Sequence, residues 1–312
     1  MRYRDKLPQL DGGVFMTDGG LETTLIFHEG FDLPEFAAVD LLRSDVGIEA
    51  LRSYYVQYAE LATELGVGFV LESPTWRASP AWAARLGYSA AELDQLNGTA
   101  IVLMEEVRDR YEDSRAPFVI SGCIGPQGDG YAPEEILSAD DAASYHHTQI
   151  ATFAATSADM VTAITMTYAA EAVGIVRAAS EERLPAAISF TVETDGRLPS
   201  GQALGEAIDQ VDEETQYGAA YFMINCAHPT HFERILKPDS RWAARIRGLR
   251  ANASTKSHAE LDEATTLDAG DPHDLARRHG TLRSRLPNLN VVGGCCGTDH
   301  RHVAAICRSL LN

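Results

Sequence analysis

Short apolar runs rich in Val, Ile, Phe and Met alternate with longer amphipathic stretches along the whole chain, and no other feature limits its fold as strongly. Eight strands are expected, at 13–17, 69–71, 117–121, 160–164, 187–192, 221–225, 244–249 and 289–292. Between them lie helical patterns. Over 44–65, Leu51, Tyr55, Tyr58, Ala62 and Leu65 recur on one face, and Gly66 stands where a helix ends in a left-handed residue. Ser89 with Glu92 three residues on is a capping box, opening a helix that carries Leu93, Leu96, Ala100, Leu103 and Val107. Further helices are expected over 138–157 and 201–217, from Asp271-Pro272, and from near Thr298 to the end. Residues 251–271 are polar and read as largely loop.

Apolar strands separated by helices imply a parallel sheet covered on both faces. Eight such units without a linker, repeat or change of composition predict a (β/α)8 TIM barrel, with 1–312 as a single domain. An open doubly wound sheet is the alternative. The glycines do not form G-x-G-x-x-G, so a dinucleotide fold has no support.

Charge narrows the partners. With 26 Lys+Arg against 45 Asp+Glu, the formal net charge is -19, which repels phosphate backbones and argues against nucleic acid. The first residues are polar, and no run of about 18 apolar residues is present, so neither a signal peptide nor a membrane span is expected. Five cysteines in a chain of 312 residues read as cytoplasmic thiols free for metal or catalysis rather than as staples.

In a barrel, chemistry gathers at the carboxyl ends of the strands. Cys226 directly follows the sixth strand, and Cys295 and Cys296 follow the eighth inside Gly293-Gly294-Cys295-Cys296-Gly297-Thr298. All three are expected at one rim. Three thiolates with one free position are the pattern of a catalytic zinc, Zn2+, rather than a closed structural site. A thiol added as fourth ligand loses its proton and becomes a nucleophile toward a methyl group on a cationic sulfur or nitrogen. Cys307, among Val303, Ile306 and Leu310, reads as core, and Cys123 as part of a tight turn after the third strand. His228 and His231 read as surface or capping residues, while His300 and His302 keep a mixed Cys/His set open.

These residues resemble the homocysteine S-methyltransferase family. The resemblance spans nearly the whole chain and rests chiefly on Thr17-Asp18-Gly19-Gly20-Leu21-Glu22-Thr23, Asn225-Cys226 and the double-cysteine motif. Thr75-Trp76-Arg77-Ala78-Ser79, 121–126 and Ile188-Ser189-Phe190 support it. It implies a barrel, zinc on Cys226, Cys295 and Cys296, a homocysteine acceptor, a sulfonium or betaine-type donor, and a place in methionine biosynthesis. By position, Asp18 matches the aspartate that holds the acceptor's amino group, with Glu22 a second acid beside it. The family usually carries Glu-Thr at the end of the fourth strand, where this chain has Ile164-Thr165. Isoleucine binds no ammonium, so either Glu193 after the fifth strand substitutes or the acceptor differs. Trp76 replaces the usual tyrosine or phenylalanine and is a candidate to face the donor cation, with Tyr168, Tyr131 and Phe36 in neighbouring rim loops. Glu72-Ser73-Pro74 is a further departure, where the family often has Thr-Asn. The partners so implied are a small thiol acceptor and a cationic methyl donor, with a homo-oligomer admissible. Two other functions fit the same residues: the acceptor-side component of a corrinoid methyl-transfer system, or a non-catalytic barrel that binds zinc or a thiol.

Overall fold

The computed structural model describes residues 2–133, 135–237 and 239–311. The single-domain expectation over 1–312 therefore includes four positions outside the described residues. Eight parallel strands close into a barrel in chain order: β1 Phe15–Met16, β2 Gly68–Glu72, β3 Phe118–Ile124, β4 Met160–Met166, β5 Ala186–Phe190, β6 Tyr221–Asn225, β7 Ile246–Ala251 and β8 Val291–Gly294. β1 pairs with both β2 and β8, which rules out the open sheet. The (β/α)8 expectation holds.

Local sequence explains where the helices start and stop. In α2 (Asp45–Leu65), Ser44 accepts a hydrogen bond from Gly47 N–H, and Gly66 ends the helix at φ 64°. Ser89 and Glu92 form the reciprocal capping box of α4 (Ala90–Tyr111), as their spacing predicts. Helices α5 (Ala139–Ala154), α7 (Leu204–Glu214), α10 (Pro272–Arg283) and α11 (His300–Leu311) lie where periodicity places them. Two short helices with weaker patterns, α3 (Pro80–Leu86) and α8 (Pro229–Phe232), escape a sequence reading. So does α6 (Ala169–Glu181), whose apolar residues surround it nearly all round. Residues 251–271 hold only α9 (His258–Asp262), as their polarity suggests.

Two layers fill the barrel. At its amino-terminal end Phe15, Val70, Val119, Met160, Ala187, Tyr221, Met223 and Val291 form a buried apolar plug. One step along the strands the buried residues become Thr17, Glu72, Ser121, Thr162, Ser189, Asn225 and Arg250. Because side chains alternate along a strand, these polar groups face inward above the plug. A larger cluster packs the outer strand faces against the helices. Among the described residues, no helix is long and apolar enough to cross a membrane.

One strand end departs from expectation. Cys123 lies inside β3, buried, rather than in a turn after it. Its glycine neighbour Gly122 serves packing, since a Cβ there would fall against the Phe153 ring of α5.

Candidate active site

The strand ends bring Cys226, Cys295 and Cys296 together. Their sulfur atoms all lie within 4.8 Å of one another, and Cys226 Sγ is 2.6 Å from Cys295 Sγ. Backbone bonds to β7 hold the two segments side by side: Cys226 N–H donates to the Arg250 carbonyl and Cys295 N–H to the Ala251 carbonyl. Glycines permit the approach, because a Cβ on Gly293 would fall on the Thr17 hydroxyl. Hydrogen bonds from Cys295 and Cys296 hold the Cys226 thiol well below its usual pKa, and the bond to Cys226 pushes Cys295 up to about 12. Among the described residues no histidine belongs to the group. His228 caps α8, His231 reaches the Thr255 carbonyl, His302 is tied to Asp299 and the Ala269 carbonyl, and His300 is exposed.

Two left-handed residues lie at the same place. Cys226 has φ 52° and Thr165 φ 64°, a left-handed conformation that a β-branched residue seldom adopts. Asn225 holds it: its Oδ1 accepts from Thr165 N–H at 2.9 Å and from the Ser189 hydroxyl at 2.6 Å, and its Nδ2 donates to Thr165 Oγ1 at 2.9 Å. Thr165 Oγ1 in turn lies 3.7 Å from Cys226 Sγ. The irregularity in β4 at this point leaves Ile164 the one partly exposed residue of its strand.

The sulfurs line a cavity together with Asp18, Glu22, Glu72, Trp76, Ile164, Thr165 and Arg250. Asp18 is buried and accepts from Arg250 Nη2 at 2.6 Å and from the Tyr54 hydroxyl at 2.9 Å. Arg250 and Tyr54 carried no motif in the sequence; an arginine in a strand ordinarily reads as solvated. Burial works against the Arg250 charge, but Asp18 and then Glu72 outweigh it and keep the guanidinium protonated. Glu22, half-buried in the first turn of α1 (Leu21–Phe27), is pushed up to about 7 by burial. Glu193 lies elsewhere, 3.1 Å from His258, whose other ring nitrogen is 2.6 Å from the Cys226 carbonyl. Cys123 lines the cavity, whereas Cys307 is buried in the core on α11.

A second cavity adjoins the first, sharing Thr23, Phe36, Trp76, Tyr131 and Cys296 with it. Arg77, Asp129, His258 and Asp268 complete much of its wall. Tyr131 stacks on His258 at 4.1 Å and has its hydroxyl 3.8 Å from Cys296 Sγ. The Arg77 guanidinium already covers the Trp76 ring at 4.9 Å. Tyr168 is buried away from both cavities, accepting from Leu137 N–H.

Glu72 is 3% exposed, and neither carboxylate oxygen has a hydrogen-bond partner among the described residues. Burial raises its pKa to about 7 against the pull of Arg250. The Ser121 and Thr162 hydroxyls bond each other at 2.8 Å and lie near enough to Glu72 to pull its pKa down a little, without a hydrogen bond of regular geometry to it. Asp18, Cys123 and Tyr221 are the other titratable groups that sense it. Because the folded-state pKa lies above the ordinary 4.5, the folded protein holds this proton longer than the unfolded chain does. The Glu72 contribution to stability is therefore full below pH 4.5 and falls away as pH rises toward 7. Denaturant titrations should show Glu72→Gln gaining roughly 3 kcal/mol on the wild type across that window. Parallel curves would mean that Glu72 stays charged throughout.

A (β/α)8 barrel with three thiols over a charged cavity defines the class: an enzyme whose site is built around sulfur. The sequence profile of the homocysteine S-methyltransferase family matches residues 15–310, so the chain belongs to that family and is a thiol S-methyltransferase. Among solved structures it is similar to the Escherichia coli homocysteine methyltransferase MmuM. The oxidized form of that protein shares 18% identity at a TM-score of 0.75, covering 95% of this chain and 96% of that one. The metallated form shares 17% at 0.72, covering 96% and 97%. No curated protein sequence matches the chain.

Proposed function

We propose that the chain methylates homocysteine from a sulfonium or betaine-type donor, with zinc held by Cys226, Cys295 and Cys296. The observation that carries this reading is the group of three sulfurs within 4.8 Å of one another, all lining one cavity, with Cys296 also on the wall of the cavity beside it. The donor set fits the metal: three soft ligands, two of them half-buried, with a cavity on the open side. MmuM having a metallated form supports the same assignment. Zinc, when bound, supplies an open position and a positive charge that make an incoming thiol ionise at neutral pH.

The chain's own residues do the rest. Asn225 holds Thr165 beside the Cys226 sulfur, and β7 carbonyls hold Cys226 and the double cysteine side by side. The cavity with Arg250 and Glu72 receives the acceptor, and the cavity with Asp129 and Asp268 receives the cationic donor past Phe36, Trp76 and Tyr131. The acceptor sulfur attacks the methyl carbon, a new C–S bond forms as the bond to the cationic atom breaks, and the donor leaves neutral. Charge disperses along this path, so the low-water interior favours it. Metal analysis should find one zinc per chain, and mass spectrometry should find methionine formed from homocysteine and S-methylmethionine or betaine without a corrinoid protein. Turnover only with such a protein would make the chain an acceptor-side component. Thiol binding without turnover would make it a binding barrel.

A further inference from the structure

Most acids around the carboxyl end of the barrel already have partners. Asp18 is held by Arg250 and Tyr54, Glu193 faces His258, and Glu171 accepts from Gln127 N–H and lies 2.9 Å from His146 Nε2. Glu72 is different, since both of its buried oxygens lack a hydrogen bond and it lines the same cavity as the three sulfurs. Arg250 offers the complement: Nη2 is taken by Asp18, while Nη1 is buried without a partner. Each group left so is costly, because a buried polar atom without a bond forfeits its hydration. Ile164, on the wall of the same cavity, supplies no charge.

An unpartnered carboxylate and an unpartnered guanidinium N–H in one cavity match the two ends of a zwitterion. We infer that Glu72 accepts from the α-ammonium, and Arg250 Nη1 donates to the α-carboxylate, of an amino-acid thiol whose sulfur reaches the three cysteines. The inference rests on the proposed thiol acceptor and names how that acceptor is selected. Glu72 is thus a specificity residue, and Asp18 a positioning residue that anchors Arg250 from the far side.

Calorimetric binding to the zinc-loaded protein tests this with three probes: homocysteine, 4-mercaptobutanoate, which lacks the ammonium, and 3-mercaptopropylamine, which lacks the carboxylate. Wild type should prefer homocysteine over each analogue by roughly 10- to 100-fold, the range for hydrogen bonds to charged groups. Glu72→Gln keeps the fold, since it removes a buried charge, and should bring the preference over 4-mercaptobutanoate close to one. Its preference over 3-mercaptopropylamine should survive, because Arg250 is intact. Glu72→Asp should recover part of the lost ratio. An unchanged ratio in Glu72→Gln, or equal losses for all three probes, would overturn the inference while leaving the methyltransferase reading intact. Wild type that binds none of the three thiols would overturn both.

Discussion

Cys296→Ala is expected to lose its metal and its methyl transfer while the barrel remains folded. Cys296 is half-buried at the rim and takes no part in the apolar clusters, so its loss leaves packing untouched. Removing one of three sulfurs leaves a cation with two, and the effect should exceed the roughly 10- to 100-fold typical of losing a ligand's outer partner. Elemental analysis after dialysis and a methionine assay read it directly, with far-ultraviolet dichroism confirming the fold. A variant with full metal content and full turnover would remove this sulfur from the ligand set. Cys226→Ala should behave alike, since it too removes one of the three clustered sulfurs.

The largest effect on stability is expected at the opposite end of the barrel. Asp159, just before β4, is fully buried and accepts from Arg108 Nη1, from Arg2 and Tyr3 N–H at the start of the described chain, and from Ile120 N–H in β3. Arg108 is 5% exposed at its side chain. Asp159→Ala leaves that guanidinium buried and unpaired and strips three backbone donors at once. The cost should be about 3–5 kcal/mol, a fall in Tm of roughly 10 °C. Thermal unfolding checks it, and Arg108→Met in the same background should return part of the loss by removing the stranded charge. A shift under about 2 °C would show that water replaces the carboxylate.

The barrel was legible because its two periods, strand and helix, are written in apolar residues whose burial leaves little choice of face. Ser44, Gly66 and the Ser89–Glu92 pair marked their helix ends because capping is local chemistry. Cys123 was misread for a physical reason: Gly122 signals a turn in sequence, while in space it makes room for Phe153. The three cysteines were legible from one rule about strand ends. The charged interior was not. Asp18 and Arg250 meet across 232 positions of chain, and nothing near either residue announces the other. Glu72 stood out only as a departure from its relatives, and its lack of partners is a property of three dimensions. The left-handed Thr165 lies inside β4 and Cys226 directly after β6, neither marked by a glycine, and Thr165 depends on Asn225 holding it there.

The apolar plug beneath the polar layer has a consequence for traffic. The barrel is a cup, closed at its base by Phe15, Tyr221, Met223 and their neighbours, so nothing passes through it. Whatever reaches Arg250 and Glu72 arrives by the same mouth through which it departs, past Phe36, Trp76 and Tyr131. Those three aromatic rings are thus the gatehouse of a blind chamber.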